Sequence, residues 1–234
     1  MNVIVSGASK GIGRALSLRF ARSEIKKILL ISRDKSLLME LFQEIKNLNS
    51  NIEVEILAFD ISGSDFSPLQ KILTSWSKVD ILINNAGFLI LKPFEELTYE
   101  DWTQSYMVNL WGPVNLIQSM LPQLKKSLRP HVVNISSMGG FQGSSKFKGL
   151  SAYSSSKAAL ANLTECLAEE FKNENIYFNC LALGAVQTEM LEQAFPGYVA
   201  PLSPEEMAEF IFDFSIKAHL VMNGKIIPVS LSTP

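Results

Sequence analysis

The stretch that decides the fold is Asn2-Val3-Ile4-Val5-Ser6-Gly7-Ala8-Ser9-Lys10-Gly11-Ile12-Gly13, at the start of the chain. Residues 2–6 form an apolar run that predicts a short buried strand, and residues 14–21 have the apolar period of an amphipathic helix. The glycines between them permit a tight turn and a close approach of backbone to a ligand. Because a helix N-terminus presents free N–H groups to an anion, strand, glycine loop and helix together predict a phosphate-binding loop. The alternative is a structural turn.

Apolar strands alternate with helices along the rest of the chain. We predict strands at 27–32, 52–59, 79–83, 132–136, 176–181 and 225–229, and helices at 34–49, 65–77, 99–124, 151–173 and 203–215. Asp34 is the predicted N-cap of the first of these helices. Such alternation is typical of a parallel sheet covered by helices on both faces. With no repeat or linker in the sequence, residues 1–234 are predicted to form a single α/β domain.

Composition excludes several classes of protein. Of 234 residues, 47% are hydrophobic and 19% charged, as in ordinary soluble globular proteins. The net charge of -2 gives no electrostatic reason to expect a nucleic acid or an anionic membrane as partner. The N-terminus lacks the pattern of a signal peptide, and no apolar run approaches the ~18 residues of a membrane span. A cytoplasmic location is therefore expected.

The cysteines and histidines predict neither a disulfide nor a metal site. Cys166 lies on an apolar helical pattern and Cys180 in an apolar strand, so both are expected to be buried reduced thiols. His131 and His219 have no Cys, His or carboxylate cluster at ligand spacing. We therefore predict no bound metal.

A second informative stretch is Ala152-Tyr153-Ser154-Ser155-Ser156-Lys157, at the start of a predicted long helix. Residues four apart on a helix lie on one face, which makes Tyr153 and Lys157 neighbours. A nearby cation favours the phenolate and lowers the pKa of a tyrosine, so this pair could exchange protons with an alcohol or a carbonyl. A surface pair without function is the alternative for this motif taken alone.

Five motifs in chain order resemble the short-chain dehydrogenase/reductase family, and the resemblance covers essentially all of the chain. They are the Gly-x-x-x-Gly-x-Gly loop at Gly7, Gly11 and Gly13, Asn84-Asn85-Ala86-Gly87 after the fourth strand, Asn109 in a helix, Ser136-Ser137 after the fifth strand, and Tyr153-x-x-x-Lys157. The resemblance implies a Rossmann-type, doubly wound parallel sheet of about seven strands. It also implies an oxidoreductase that interconverts a carbonyl compound and an alcohol.

The resemblance also implies the role of each catalytic residue. Tyr153 would be the general acid/base, and Lys157 would lower the pKa of Tyr153 and hold the nicotinamide ribose. Ser137 would hydrogen-bond the substrate carbonyl, although strand alternation leaves Ser136 open. Asn109 would hold a water for proton relay. Hydride would come from the nicotinamide while positioned donors stabilise charge on the carbonyl oxygen.

The expected cofactor is NADP(H). NAD-preferring members carry an acid at the end of the second strand, where this chain has Ser32 followed by Arg33. Arg33 and Lys10 suit a 2′-phosphate, while Asp34 is assigned to the helix cap and Asp60 to the adenine ring. Cofactor contacts are expected from Gly7, Ser9, Lys10, Gly11, Ile12, Gly13, Arg33, Asp60, Ile61, Asn85, Ala86, Gly87, Tyr153, Lys157, Gly184, Val186 and Thr188.

The chain departs from the family pattern in three places, all near the expected substrate. The interval from Ser137 to Tyr153 is longer than usual, with residues 144–149 as the extra loop. Leu183-Gly184 stands where the family has Pro-Gly, which predicts a freer turn. The following segment, 186–204, is short, and its apolar residues form either a lid or part of the core. These residues are Met190, Leu191, Phe195, Tyr198 and Val199.

The substrate stays open at this point. A small-ketone or pterin reductase and a 3-oxoacyl-thioester reductase are alternatives within the family, and a non-catalytic cofactor-binding sensor is the alternative outside it. The last alternative is disfavoured because all four catalytic positions carry competent residues. Family members are usually dimers or tetramers built through the helices at about 99–124 and 151–173, so a homodimer or homotetramer is expected, with a small carbonyl or alcohol as the other partner.

Overall fold

The computed structural model describes residues 1–231, and a seven-stranded parallel sheet forms its centre. The strands are β1 (Asn2–Ser6), β2 (Lys27–Ser32), β3 (Glu53–Ala58), β4 (Ile81–Asn84), β5 (His131–Ser137), β6 (Tyr177–Leu183) and β7 (Lys225–Val229). Their order is β3-β2-β1-β4-β5-β6-β7. The chain runs outward from β1 to β3 and then returns to β4. This reversal opens a crevice beyond the carboxyl ends of β1 and β4, where sheets of this kind bind ligands.

Helices cover both faces of the sheet. They are α1 (Gly11–Ala21), α2 (Lys35–Leu48), α3 (Ser67–Leu73), α4 (Tyr99–Tyr106), α5 (Gly112–Leu124), α6 (Ser151–Glu170), α7 (Glu189–Ala194) and α8 (Pro204–Lys217). One apolar cluster joins the sheet to α1, α2 and α8, and a second joins its other face to α3, α5 and the end of α6. Because β1 and β2 are buried on both faces, they read as continuous apolar runs. The predicted doubly wound α/β fold is confirmed.

Local sequence signals correctly predicted the position of most helices and strands, but some details of the helices differ from the prediction. The side chain of Asp34 accepts hydrogen bonds from the backbone of Ser36 and Leu37, so its predicted N-cap role is confirmed. The predicted helical stretch over 99–124 is confirmed, and a π-helical turn at Met107–Trp111, which was not predicted, joins α4 to α5 within it. The short helix α7 was not predicted. Its N-cap Thr188 accepts a hydrogen bond from the Leu191 backbone.

The two cysteines differ in their surroundings. Cys180 is buried within β6, as predicted. Cys166 is exposed, so the prediction of a buried thiol there is wrong. On α6 the core-facing positions are those of Leu160, Ala161 and Thr164, and Cys166 lies off that stripe. Both cysteines carry free thiols.

Within residues 1–231, no helix has the length and apolar character that crossing a bilayer requires. The same residues contain no group of three or more His, Cys, Asp or Glu side chains arranged to hold a metal ion.

Candidate active site

The glycine loop lies where β1 ends and α1 begins, and its backbone is open to the crevice. Gly7 and Gly11 have positive φ angles of 66° and 50°, which glycine adopts at little cost. A Cβ on Gly7 would lie 2.7 Å from the Cα of Ala86, so a side chain would collide with the loop that follows β4. The N-cap Lys10 makes no side-chain capping hydrogen bond to α1. The first N–H groups of this helix are therefore available to an anion.

The Asn-Asn-Ala-Gly motif fixes this loop in place. Asn85 donates hydrogen bonds from its side chain to the carbonyl oxygens of Ser6 (3.2 Å) and Gly7 (3.1 Å). The hydroxyl of Ser6 in turn accepts from the backbone N–H groups of Asn85 and Ala86. These bonds tie the ends of β1 and β4 together across the switch point of the sheet. Asn85 thus positions the phosphate-binding backbone, in addition to lining the cleft.

A single cleft of about 710 Å³ runs from the glycine loop to the helix α6 and to the segment after β6. The residues predicted to contact a cofactor line it, with the exception of Gly13. Gly13 is buried behind the loop, where a Cβ would overlap the carbonyl oxygen of Gly7. Its lack of a side chain lets α1 pack against the loop, and direct contact between Gly13 and a cofactor stays a prediction.

Polar and basic groups surround one end of the cleft. The hydroxyls of Ser9 and Ser32 are 2.7 Å apart, and the exposed side chains of Lys10 and Arg33 lie on the same wall. Ser62 donates two hydrogen bonds to Asp60, from its backbone N–H (2.9 Å) and its hydroxyl (2.7 Å). Partial burial raises the pKa of Asp60, but these bonds and the nearby Arg33 charge outweigh it and leave that pKa below its usual value. Asp34 is not one of the residues that line the cleft.

Tyr153, Lys157 and Ser137 line the middle of the cleft. Tyr153 and Lys157 are one turn apart on α6, and Ser137 is the last residue of β5. The hydroxyl of Ser136 donates to the carbonyl oxygen of Lys157 (2.8 Å) and fastens the helix to the strand. Ser137 instead contacts Tyr153 and accepts from the backbone of Gly139 (3.1 Å). Of the two serines, Ser137 thus has the hydroxyl placed beside the phenol.

Asn109 lies in the π-helical turn and is fully buried. Its amide donates to the carbonyl oxygen of Phe88 (2.8 Å) and to the hydroxyl of Ser156 (2.9 Å). Its oxygen accepts from the backbone of Phe88 (2.8 Å). A Cβ on Gly87 would lie 3.5 Å from the ammonium of Lys157 and 3.6 Å from the oxygen of Asn109, so the three residues converge. Asn109 does not line the cleft itself, and its side chain anchors the loop after β4.

The pKa values of the pair on α6 are set by burial. Burial raises the pKa of Tyr153, and the hydrogen bond with Ser137 only partly opposes it. Burial lowers the pKa of Lys157 to about 8. The ammonium donates to the carbonyl oxygen of Ile135 (2.8 Å). Desolvation is the largest influence on the pKa of the phenol, and the lowering of that pKa by Lys157 stays a prediction.

The segment after β6 forms the remaining wall. Gly184 donates its backbone N–H to Val229 (2.8 Å), and a Cβ there would overlap the hydroxyl of Ser230. The predicted freer turn is thus held tightly by the end of β7. Four apolar residues of the segment line the cleft: Met190, Leu191, Phe195 and Tyr198. The core-packing alternative is wrong for these four, whereas Val199 points outward and is 83% exposed.

Sequence reasoning missed several residues of the site. Phe88, Leu89, Met138 and Leu150 line the cleft, although no motif marked them. The paired glycines after β5 were a signal that could have been used. A Cβ on Gly140 would lie 2.7 Å from the backbone nitrogen of Ala158, so α6 lies directly on this turn.

The comparisons agree with this geometry. A family model described as short chain dehydrogenase matches residues 1–198. The 3-oxoacyl-[acyl-carrier-protein] reductase of Thermotoga maritima is 28% identical to this chain, over 97% of this chain and 94% of the relative. Among solved structures, a 3-oxoacyl-(acyl-carrier-protein) reductase from Agrobacterium tumefaciens with NADP bound has a TM-score of 0.85 at 27% identity, covering 97% of this chain and 92% of the other.

Another solved structure shares the fold with a different nucleotide. A short chain dehydrogenase from Mycobacterium paratuberculosis bound to NAD has a TM-score of 0.85 at 21% identity, covering 99% of this chain and 96% of the other. The glycine loop, the residues at its switch point and the match over residues 1–198 lead to one conclusion. The chain belongs to the short-chain dehydrogenase/reductase family of oxidoreductases.

Proposed function

We propose that this protein is an NADPH-dependent reductase that converts a ketone or aldehyde into an alcohol, and that it catalyses the reverse reaction with NADP. The observation that carries the proposal is the shared cleft, in which the hydroxyls of Ser137 and Tyr153 lie beside an open glycine loop. The uncapped start of α1 and the positive-φ glycines fit a dinucleotide pyrophosphate. When bound, the nicotinamide supplies the hydride for the carbonyl carbon.

The chain's own residues handle the carbonyl oxygen and its proton. Ser137 donates a hydrogen bond to that oxygen, where negative charge develops. Tyr153 holds the proton that the oxygen receives. Because burial raises the pKa of Tyr153, the phenol stays protonated at neutral pH and holds the proton that carbonyl reduction consumes.

The test of the acid is Tyr153→Phe, which removes one hydroxyl and changes packing little. We expect a loss of at least about 100-fold in kcat with NADPH, the usual size of an acid–base contribution. NADPH binding followed by fluorescence should be retained, which separates a chemical defect from misfolding. Wild-type activity in this variant would contradict the assignment.

The preference for NADP is supported by the basic end of the cleft. Lys10 and Arg33 are exposed there, and the Ser9–Ser32 pair offers hydroxyls in place of an acid. We expect the double variant Lys10→Ala with Arg33→Ala to lose affinity for NADPH while NADH binding changes little. Arg22→Ala with Lys26→Ala, at exposed positions outside the cleft, is the matched control. Equal wild-type affinity for both nucleotides would contradict the preference.

A 3-oxoacyl-thioester reductase is the second candidate, supported by the 28% identity to the Thermotoga maritima relative. Activity on a 3-oxoacyl thioester, set against a simple ketone with the same assay, separates the two candidates. A non-catalytic sensor would bind NADPH and reduce neither. Its signature would be cofactor binding without turnover.

We also propose that the protein works in the cytoplasm as a homodimer or homotetramer built through the faces of α4, α5 and α6. Large aromatic residues are exposed at and near α4: Phe94 (69%), Tyr99 (81%) and Trp111 (51%). Exposed aromatic residues in one region often mark a protein interface. Light scattering at several concentrations measures the mass, and a monomer throughout would contradict this part of the proposal.

A further inference from the structure

Two phenylalanines from separate segments meet in the wall of the cleft. Phe147 belongs to the extra loop before α6, and Phe195 follows α7. Their ring centroids are 6.4 Å apart with an interplanar angle of 63°, an edge-to-face contact. Both rings line the cleft and are only partly buried. We call these two residues the aromatic pair.

The extra loop holds Phe147 firmly. The hydroxyl of Ser144 shares its one proton between the carbonyl oxygens of Met138 and Phe141, and the ammonium of Lys146 donates to the carbonyl oxygen of Phe141 (2.6 Å). At the far end, the backbone N–H of Lys92 donates to the carbonyl oxygen of Gly149 (2.9 Å). The loop is therefore fastened on both sides of Phe147.

The segment that carries Phe195 is closed at its base by hydrogen bonds of Gln187 with Ala200 and Leu202, and we call this junction the neck. The backbone N–H of Gln187 donates to the carbonyl oxygen of Leu202 (2.8 Å), and its side-chain oxygen accepts from the backbone of Ala200 (2.8 Å). Between these points, Phe195 donates its backbone N–H to Leu191 (2.8 Å) at the end of α7. The position of Phe195 is thus set by hydrogen bonds inside the segment.

The chemistry around the aromatic pair is apolar. Phe88, Leu89, Met138, Leu150, Met190 and Tyr198 line the same cleft. The charged residues that line it, within residues 1–231, are Lys10, Arg33, Asp60, Lys157 and Glu189. Lys10, Arg33 and Asp60 belong to the basic end, Lys157 lies beneath the phenol, and Glu189 is near Gly11. Lys146 and Lys148 flank Phe147 in the sequence but do not line the cleft, so no lining cation beside the aromatic pair would replace the lost hydration of a substrate anion.

We propose that the aromatic pair determines specificity, and that it selects carbonyl compounds whose body is uncharged and apolar, aromatic ketones above all. A substrate ring inserted beside Phe147 and Phe195 gains apolar burial and edge-to-face contacts. Its carbonyl group then lies toward Ser137, at the end of β5, and Tyr153, near the start of α6. This inference rests on the proposed reductase function and names the substrate class of that site.

The test compares acetophenone, which has a ring, with 2-butanone, which has none, using NADPH as reductant. Phe147→Ala and Phe195→Ala should each lower kcat/KM for acetophenone about tenfold and lower that for 2-butanone by a smaller factor, because 2-butanone has no ring to contact the pair. Because the two rings touch, the double variant should lose less than the product of the single losses. Phe210→Ala, a 41%-exposed phenylalanine of α8 outside the cleft, is the matched control.

Binding provides a readout that does not need turnover. Saturation-transfer NMR on the protein with NADP should show contact to the ring protons of acetophenone, lost in the double variant and kept in the control. If the alanine variants lost kcat/KM equally for both ketones, or lost none, the inference about the aromatic pair would be overturned. The proposed reductase function would still stand in that case, provided that the wild-type protein reduces 2-butanone. Ring contact without any reduction would support the aromatic pair and contradict the reductase. Absence of both contact and reduction would overturn both.

Discussion

Acid should destabilise this protein through one buried imidazole, His131 at the start of β5. Its Nδ1 lies 2.8 Å from the carbonyl oxygen of Ser215, which requires a proton on that nitrogen. Its Nε2 lies 2.9 Å from the amide nitrogen of Asn179, so it must accept. The amide cannot rotate without loss, because its oxygen accepts from the backbone of Lys225 (3.0 Å). A second proton on His131 would therefore face a donor.

Burial lowers the pKa of His131 from 6.5 to about 4, with a smaller contribution from nearby His219. The unfolded chain binds a proton near pH 6.5 while the folded chain does not, so the folded state loses stability as the pH falls from about 6.5 toward 4. Between pH 8 and pH 5 this difference amounts to about 2 kcal/mol of unfolding free energy. Above pH 6.5 the stability from this group is fully present.

Urea unfolding at pH 8 and pH 5, at a fixed protein concentration, measures the effect. His131→Gln has no titratable ring, so its loss between the two pH values should be smaller than that of the wild type by about 2 kcal/mol. His219→Gln is the neighbouring control and should keep most of the wild-type loss. Equal losses in the wild type and in His131→Gln would refute the assignment of acid sensitivity to His131.

Three further outcomes can be measured on purified variants. Gly13→Ala should lower the unfolding free energy by about 1–3 kcal/mol and weaken NADPH binding, since its Cβ overlaps the Gly7 carbonyl. Gly63→Ala is the control, because Gly63 also has no positive φ and its Cβ would meet only the Asp60 carbonyl oxygen, at 3.4 Å. Asn109→Leu should cost about 2–4 kcal/mol in urea unfolding, because it leaves both Phe88 backbone groups unpaired. Lys157→Met should leave the alkaline limb of the pH–rate profile for carbonyl reduction unshifted, because burial is the largest influence on the pKa of Tyr153; a shifted limb would show that the ammonium contributes.

The parts of the site that sequence predicted are those carried by local spacing. Tyr153 and Lys157 share a face because they are four apart on one helix, and Gly7 and Gly11 take positive φ because the turn is short. Asp34 caps α2 because its partners are two and three residues away. Each of these features depends on a few neighbouring residues.

The parts that sequence could not predict depend on contacts between distant segments. Asn109 contacts Phe88, which is 21 residues away in the sequence. The π-helical turn that orients Asn109 has no characteristic residue pattern by which the sequence would reveal it. The raised pKa of Tyr153 reflects how deeply its hydroxyl is buried, which the spacing to Lys157 does not reveal. Cys166 was assigned to the wrong side of its helix because the apolar stripe of α6 is weak.

The segment 188–199, which we call the cassette, can be replaced as a unit because it is closed at its base by the neck at Gln187. Its two hydrogen bonds, to Ala200 and Leu202, close the segment at its base, and Ala194 is its one buried residue within these limits. Mutational drift in the cassette beyond Thr188, which borders the glycine loop, can therefore alter substrate range while the sheet stays under separate constraint. We expect a chimera that carries a relative's cassette between Gln187 and Ala200 to unfold at the wild-type urea midpoint and to reduce a different set of ketones. A large fall in that midpoint would show that the cassette and the core evolve as one unit.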